Sequence, residues 1–137
     1  RATKAVARKR GLRDLVHFPG YIRNRDLPAV YSGAAVFVFP SLYEGFGLPP
    51  LEAMACGTPC VVSNSSALPE VTGRAALLFN PTSTQQLTDC IVRVVTQSEE
   101  SAGLREEGFR QSAQFKWGTA AEQTLEVYRG VPAATPR

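Results

Sequence analysis

The sequence is poor in the residues that most often bind metals or cross-link small proteins. It contains one histidine, His17, and three cysteines among its 137 residues. The odd number of cysteines and their apolar neighbours argue against a disulfide framework. Cys56 and Cys60 lie far from His17 in the sequence, so we predict no metal site. We interpret the cysteines as small buried thiols in a reducing compartment, which indicates a cytoplasmic protein.

Long apolar runs are also missing. The longest, residues 34–40, has the length of a buried strand, whereas a bilayer requires about 20 such residues. The basic segment at residues 1–13 is not followed by an apolar region, so no signal peptide is predicted. The chain does not begin with methionine, and we therefore expect its true N-terminus to lie upstream.

Positive charge is concentrated at the start of the chain. The net charge is only +3, yet six of the fifteen basic residues precede Asp14, the first acidic residue. Such a block can bind nucleic acid or anionic lipid. No aromatic residue is interleaved with it and no nucleic-acid motif follows. We interpret the block as a solvated helix face or as a surface that contacts another domain, and nucleic acid is not an expected partner.

Short apolar strands alternate with amphipathic helices along the chain. Strands are predicted at residues 15–18, 36–39, 59–63 and 75–79. Helices are predicted at residues 1–10, 24 or 25 to 32, 49–56, 67–71, 101–115 and 118–129, and the pattern is also helical from residue 84 onward. This pattern is typical of a Rossmann-like α/β domain, a parallel sheet with helices on both faces. Four strands are few for such a sheet, so we expect a domain at 1–130 that is truncated on its N-terminal side, followed by a tail at 131–137.

The most informative segment joins the second predicted strand to a helix through a glycine-rich loop. Gly45 and Gly47 allow a tight turn and close approach of a ligand to the backbone. The start of the helix presents free N–H groups and the positive end of a dipole, which favour a phosphate. Because Pro49 and Pro50 have no N–H, the donors are expected to come mainly from residues 46–48. Ligands of open parallel sheets bind beyond the carboxyl ends of the strands, where this loop lies.

Two glutamates flank this turn: Glu44 in the loop, and Glu52 in the predicted first turn of the helix. A carboxylate accepts two hydroxyl hydrogen bonds and so matches a vicinal diol, as on the ribose of dinucleotides. A nucleotide sugar carries one diol on its ribose and others on its hexose, so two acids can recognise both ends of it. Two alternatives stay open. Glu52 could simply interact with the helix dipole, or the pair could be the acid and nucleophile of a glycoside hydrolase.

The same stretch closely resembles the donor-site signature of the glycosyltransferase group 1 family, also called family 4, whose members have the GT-B fold. The signature is two glutamates separated by seven residues, as Glu44 and Glu52 are. The resemblance covers nearly the whole chain; it includes residues 16–21, Asp26, Leu27 and Tyr31, and residues 59–64, 68–71 and 117–128. It implies that the chain is the C-terminal, donor-binding half of such an enzyme.

The resemblance also implies a role for each residue of the site. Glu44 contacts the transferred sugar and is the candidate catalytic residue, and Glu52 binds the ribose hydroxyls. Tyr21 and Ile22 lie near the nucleobase. The backbone N–H groups of four consecutive residues lie beside the sugar or, for the last of them, near the diphosphate: Gly45, Phe46, Gly47 and Leu48. Trp117 is interpreted as a packing residue.

The reaction implied by the resemblance is retaining transfer of a hexose from a UDP- or GDP-linked donor to an acceptor, in carbohydrate biosynthesis. Family members typically need no metal, and no cofactor is expected besides the donor substrate. The leaving diphosphate helps to take the acceptor proton, so no side chain need act as a general base.

Two parts of the family pattern are not found in the sequence. One is an Arg/Lys pair that neutralises the diphosphate, and the other is the N-terminal, acceptor-binding domain. We therefore expect the chain to be inactive alone and to have that domain as its partner. A non-catalytic nucleotide-sugar-binding module and an epimerase of related fold remain alternatives. Peripheral association of the parent enzyme with the cytoplasmic side of a membrane also stays open.

Overall fold

Three parallel strands form a single sheet in the computed structural model, which describes residues 2–130. The strands are β1 (Phe37–Phe39), β2 (Cys60–Ser63) and β3 (Ala76–Phe79), in the order β1-β2-β3. In the register of the sheet, Val38 lies opposite Val61, and Val61 lies opposite Leu77. The predicted α/β class with a parallel sheet is confirmed. The predicted tail at 131–137 lies outside the described residues.

Helices connect these strands and follow them along the chain. They are α1 (Ala2–Lys9), α2 (Leu27–Ser32, directly after a 3₁₀ turn at Asn24–Asp26), α3 (Leu48–Ala55), α4 (Leu68–Thr72), α5 (Thr84–Thr96), α6 (Ser98–Ser112) and α7 (Trp117–Gly130). The α5 helix begins at the predicted residue, and its N-cap Ser83 accepts a hydrogen bond from the Gln86 N–H. Such a cap satisfies one of the free donors of a helix start.

The two faces of the sheet each form a core, because successive side chains of a strand point to opposite sides. One core contains residues of β2, α3 and α4: Cys60, Val62, Leu51, Met54 and Leu68. The other contains residues of β2, β3, α5 and α6: Val61, Phe79, Cys90, Val94 and Leu104. Helices therefore lie on both faces, as predicted.

The strand predicted at residues 15–18 is wrong. The N–H groups of Leu15 and Val16 both donate to the Leu12 carbonyl at 3.1 Å, which closes a turn instead of a sheet ladder. The Leu15 side chain is 77% exposed. An apolar run becomes a strand only where a neighbouring strand pairs with it, and no such partner is present among residues 2–130. The described sheet therefore has three strands, where four were predicted.

The basic helix at the start of the chain ends as expected. Gly11 has φ +71°, and its N–H donates to the Arg8 carbonyl at 3.1 Å, which is a common way for a helix to end. The Lys4 ammonium lies 5.1 Å from the centre of the Phe18 ring. Ala7 is buried, while the described basic side chains of this segment are exposed. This exposure fits both interpretations, a solvated helix face and a surface that contacts another domain, and the choice between them stays a prediction.

The loops after β1 and β2 leave the same carboxyl edge of the sheet and are joined there by hydrogen bonds. The hydroxyls of Ser63 and Ser65 both donate to the Ser41 carbonyl. The Asn64 N–H donates to the Phe79 carbonyl at the end of β3, at 2.7 Å. The glycine-rich loop thus lies at the carboxyl edge of the sheet, as predicted.

The α3 helix begins one residue earlier than predicted, at Leu48. Gly47 is its N-cap, with the left-handed φ of +107° that glycine adopts readily. Glu52 is consequently the fifth residue of the helix and lies in its second turn, so its predicted place in the first turn is wrong. Since the dipole acts mainly on charges in the first turn, this position disfavours the alternative that Glu52 only stabilises the helix.

The α6 helix spans residues 98–112 instead of the predicted 101–115. Gln97 is extended, with φ −108° and ψ 95°, and separates α5 from α6. Glu99 and Glu100 then occupy the first turn, where acidic side chains interact favourably with the helix dipole. The predicted start at residue 101 is wrong because a single extended residue, Gln97, breaks an otherwise continuous helical pattern.

Replacing Gly47 by alanine is expected to destabilise the protein by about 1–3 kcal/mol. A Cβ at this position would lie 2.6 Å from Cδ2 of Leu68, and the φ of +107° strains any other L-residue. The measurement is urea unfolding of the full-length protein. Gly103→Ala is the control, because nothing lies within 4 Å of its added Cβ; it should not lower the free energy of unfolding. Equal unfolding midpoints for the two variants would contradict the prediction.

Candidate functional site

Hydrogen bonds hold Glu44 at both its side chain and its backbone. The Ser41 hydroxyl lies 2.7 Å from Oε1 of Glu44 and 3.1 Å from the Tyr43 carbonyl oxygen. The Glu44 N–H donates to the Ser66 hydroxyl at 2.9 Å. Because Ser66 belongs to the loop after β2, this bond spans the two loops of the carboxyl edge. The Glu44 carboxylate is half-buried and is oriented by the Ser41 hydroxyl.

Ser66 has an unusual backbone conformation. Its φ of +45° makes it the one non-glycine residue with a positive φ within residues 2–130. Such a conformation is uncommon outside glycine and costs free energy unless the surroundings fix it. Here it accompanies the hydrogen bond to Glu44, so the loop after β2 supports the loop that carries the glutamate. No local sequence pattern predicts this contact, because Ser66 and Glu44 are 22 positions apart.

Four consecutive backbone N–H groups at this edge have no protein acceptor in the described part of the chain. They belong to Gly45, Phe46, Gly47 and Leu48. Leu48 is the first residue of α3, so the positive end of the helix dipole adds to the field at these donors. Pro49 and Pro50 follow and have no N–H. The structure therefore presents a compact set of donors that suits an anion.

The Phe46 side chain extends the loop toward the junction of α6 and α7. Its ring packs edge-on against Phe115, with the ring centres 5.6 Å apart. Both rings, together with Leu48, Glu52 and Trp117, line a cavity of about 380 Å³. The interpretation of Trp117 as a packing residue is wrong, because its side chain is 81% exposed. The described part of α7, which begins at Trp117, has no buried residue.

Glu52 lies between this cavity and a second one of about 340 Å³. The second cavity is lined in part by Leu27, Pro28 and Tyr31 of α2. The Glu52 side chain is exposed, and its Oε2 accepts a hydrogen bond from the Tyr31 hydroxyl at 3.1 Å. Glu52 is therefore accessible from two sides, and one of its carboxylate oxygens is held by a neighbouring helix.

Tyr31 is a functional candidate that was not predicted, since the sequence indicated it only as part of the family resemblance and gave it no role in the site. Its ring packs edge-on against Phe37 of β1, at 5.4 Å between centres. The Thr58 hydroxyl donates to the Tyr31 carbonyl at 2.6 Å. Burial raises the pKa of Tyr31 to about 12, and the hydrogen bond to Glu52 and the charge of that carboxylate act in the same direction. The hydroxyl thus stays protonated and donates at physiological pH.

Tyr21 and Ile22 lie in the irregular segment before the 3₁₀ turn. Tyr21 is 84% exposed, and Ile22 is half-buried. Neither residue lines the two cavities beside Glu52, and in the described structure neither side chain is hydrogen-bonded to Glu44 or Glu52. The assignment of these two residues to a nucleobase stays a prediction.

Alkaline conditions are expected to remove a stabilising contribution of Tyr31. A group whose pKa is higher in the folded than in the unfolded state stabilises the fold below its unfolded value, and this contribution is lost as the pH rises through the folded value. For Tyr31 that interval runs from its ordinary pKa of 10.0 to about 12. The free energy of unfolding should fall more steeply over this interval in the wild type than in Tyr31→Phe. Urea unfolding at several pH values measures both slopes, and parallel slopes would contradict the expectation.

The thiols and acids of the described chain form no obvious metal centre. Within residues 2–130, no group of three or more His, Cys, Asp or Glu side chains is placed to hold a metal ion. Cys56, Cys60 and Cys90 are free, and burial raises the pKa of Cys60 to about 12. Over the same residues, no helix has both the length and the apolar character needed to cross a membrane.

Comparison with known proteins identifies the family. Residues 2–111 match the family model of the group 1 glycosyl transferases. The chain belongs to this family. Over 126 residues, this group 1 glycosyltransferase chain is 42% identical to O-antigen chain mannosyltransferase B of Escherichia coli, a match that covers 88% of the chain and 32% of that relative. The chain spans about a third or less of the length of the curated relatives it matches.

Solved structures support the same fold. Sucrose-phosphate synthase of Thermosynechococcus elongatus superimposes on the chain with a TM-score of 0.87 at 34% identity, covering 97% of this chain and 34% of that one. HepE of Anabaena, in complex with UDP-glucose, gives a TM-score of 0.86 at 22% identity and covers 95% and 36% of the two chains. The group 1 glycosyltransferase chain therefore has the fold of a GT-B half-domain, as the resemblance implied.

Proposed function

We propose that the chain is the donor-binding part of a retaining hexosyltransferase that uses a UDP- or GDP-linked sugar. The observation that carries this proposal is the set of free N–H groups at 45–48, which lies between the loop carboxylate of Glu44 and the helix carboxylate of Glu52. A diphosphate needs donors, and each sugar needs an acceptor for its hydroxyls. This edge of the sheet offers both kinds of group in one short segment.

The proposed donor lies along the carboxyl edge of the sheet. Its diphosphate accepts from the N–H of Leu48 at the start of α3, where the helix dipole favours negative charge. Its hexose lies beside residues 45–47, with a hydroxyl group donating to Glu44. The ribose hydroxyls donate to Glu52, and the base extends toward Tyr21 and Ile22. This placement uses the donor and acceptor character of each group and the order of the residues along the loop.

In the proposed reaction, the bond between the anomeric carbon and the diphosphate oxygen breaks. A bond from the anomeric carbon to an acceptor oxygen forms on the same face of the sugar. The acceptor proton passes to the leaving diphosphate, so no side-chain base, metal ion or cofactor is required. The Leu48 N–H and the positive end of the α3 dipole stabilise the charge that develops on the leaving diphosphate, which is the general action of preorganised donors.

The proposal also concerns parts of the whole protein that lie outside these 137 residues. We propose that a separate N-terminal domain binds the acceptor, that an Arg/Lys pair outside the chain neutralises the diphosphate, and that the chain alone does not catalyse transfer. The curated relatives, at least about three times as long as the matched region, support a further domain. The three free cysteines support a cytoplasmic location.

A binding screen on the full-length protein tests the proposed function. Calorimetry with UDP, GDP, UDP-glucose and GDP-mannose should show binding of one nucleoside diphosphate and its sugar, with or without EDTA. The mannose donor is included because the Escherichia coli relative is a mannosyltransferase. Absence of binding to every nucleotide would overturn the proposal.

Product analysis then separates transfer from its alternatives. Mass spectrometry and sugar analysis are carried out on incubations with the donor alone and with a mixture of candidate acceptors. A retaining transferase yields a new glycoside only when an acceptor is present. Conversion of the donor to a different sugar nucleotide without an acceptor would indicate an epimerase, and binding without turnover under all conditions would indicate a non-catalytic module.

A further inference from the structure

A glutamate on an exposed helix surface is ordinarily free to rotate, and its immobilisation opposes ligand binding. Ordering one flexible side chain on binding weakens affinity by about 2- to 10-fold. Glu52 is exposed, but it is not free, because its Oε2 accepts from the Tyr31 hydroxyl at 3.1 Å. One of the two carboxylate oxygens is therefore held before a ligand arrives.

The residue that holds Glu52 is itself fixed by the core. The Tyr31 ring lies edge-on to Phe37 of β1, with 5.4 Å between the ring centres. The Tyr31 carbonyl accepts from the hydroxyl of Thr58, a residue only 2% exposed, at 2.6 Å. The chain of contacts runs from a buried threonine and a sheet phenylalanine through Tyr31 to Glu52. These contacts fix the position of the Tyr31 hydroxyl relative to the sheet, and the hydroxyl in turn fixes the orientation of the exposed Glu52 carboxylate.

We propose that Tyr31 is a positioning residue, which holds the Glu52 carboxylate in the orientation that recognises the ribose diol. The inference rests on the proposed function, since it takes Glu52 to be the ribose acceptor. An ionised carboxylate has two oxygens and about four lone-pair sites. The Tyr31 hydroxyl occupies one site on Oε2, so Oε1 and a second site on Oε2 remain for the two hydroxyls of a diol.

Tyrosine suits this role because it is a neutral donor. A lysine or arginine in its place would neutralise the carboxylate and compete with the ribose hydroxyls, whereas a phenol orients the carboxylate and leaves its charge in place. The raised pKa of Tyr31, about 12, keeps the phenol protonated over the pH range of most enzymes.

The test is Tyr31→Phe in the full-length protein, which removes the hydroxyl and keeps the ring against Phe37. The probes are UDP or GDP, whichever the wild type binds, and the 2′,3′-dideoxy form of the same nucleotide. The variant should bind the natural nucleotide about 2- to 10-fold more weakly and the dideoxy nucleotide as well as the wild type does. Tyr128→Phe removes an exposed hydroxyl of α7, 71% exposed, and should change neither affinity.

The following outcomes would overturn the inference. Equal weakening for both nucleotides in Tyr31→Phe indicates a general structural role, and no weakening for either indicates no role at all. Glu52→Ala provides the third comparison. If Glu52→Ala still prefers the natural nucleotide as strongly as the wild type does, the ribose assignment of Glu52 fails and the inference fails with it. If Glu52→Ala loses this preference while Tyr31→Phe keeps it, the inference alone is wrong.

Discussion

Replacing Glu44 by glutamine in the full-length protein is expected to reduce turnover with the complete donor by about 10²-fold or more. Binding of the bare nucleoside diphosphate should hardly change, because that ligand has no hexose. Glutamine keeps the size of the side chain and its Oε1, which can still accept from the Ser41 hydroxyl that holds Glu44 at 2.7 Å. The substitution therefore removes the charge with little disturbance of the loop. Sugar positioning and the stabilisation of charge in the transition state both suffer.

The measurement pairs calorimetric binding of the nucleoside diphosphate with steady-state transfer kinetics. Glu122→Gln makes the same chemical change on the exposed surface of α7 and should leave both quantities as in the wild type. An equal loss of binding and turnover in Glu44→Gln, or an unchanged turnover, would contradict the assignment of Glu44 to the sugar site. A covalent glycosyl-enzyme trapped at Glu44 would instead favour the hydrolase alternative.

Replacing Glu52 by alanine is expected to weaken the binding of both the nucleoside diphosphate and the sugar nucleotide. The loss of charge-assisted hydrogen bonds to the ribose is worth about 1.5–3 kcal/mol, or roughly a 10- to 150-fold increase in Kd. Both ligands carry the ribose, so both should lose a similar amount. This common loss distinguishes Glu52 from Glu44, whose substitution should affect only the ligand with a hexose.

Calorimetry with the two ligands measures this effect, and thermal unfolding shows whether the variant is folded. The Tyr31 hydroxyl loses its acceptor in Glu52→Ala, but it lies at the edge of an open cavity, where water can replace the carboxylate. Glu122→Ala serves as the control on another helix. Unchanged affinity of Glu52→Ala for the nucleoside diphosphate would contradict the ribose assignment.

Much of the fold could be predicted from local patterns. The apolar runs at 36–39, 59–63 and 75–79 correspond to the three observed strands. The central strand β2 is buried at all four positions, and burial on both faces favours apolar side chains at successive positions. The helical spacing from Thr84 onward identified α5, whose start is marked by the Ser83 cap. These elements satisfy their hydrogen bonds or bury their apolar faces in the way that their own sequence favours.

Three details depended on contacts that no local pattern reports. Residues 15–18 are as apolar as a strand, but the N–H groups of Leu15 and Val16 donate to the Leu12 carbonyl. The α3 helix starts at Leu48 because Gly47 adopts a left-handed conformation, and this moves Glu52 into the second turn. The α6 helix begins at Ser98 because one extended residue, Gln97, ends the preceding helix. In each case the secondary structure is determined by a tertiary partner or by a single backbone angle.

The sequence by itself determined the α/β class, the glycine-rich loop at the carboxyl edge and the seven-residue spacing of Glu44 and Glu52, since these follow from periodicity, from residue type and from a motif written in consecutive residues. The tertiary structure alone decided which groups support the two acids. Ser66 reaches Glu44 across 22 positions and Tyr31 reaches Glu52 across 21. Hydrogen bonds of this kind form only once the sheet has brought distant loops and helices together. The residues next to such a tyrosine or serine in the sequence therefore do not indicate its partner.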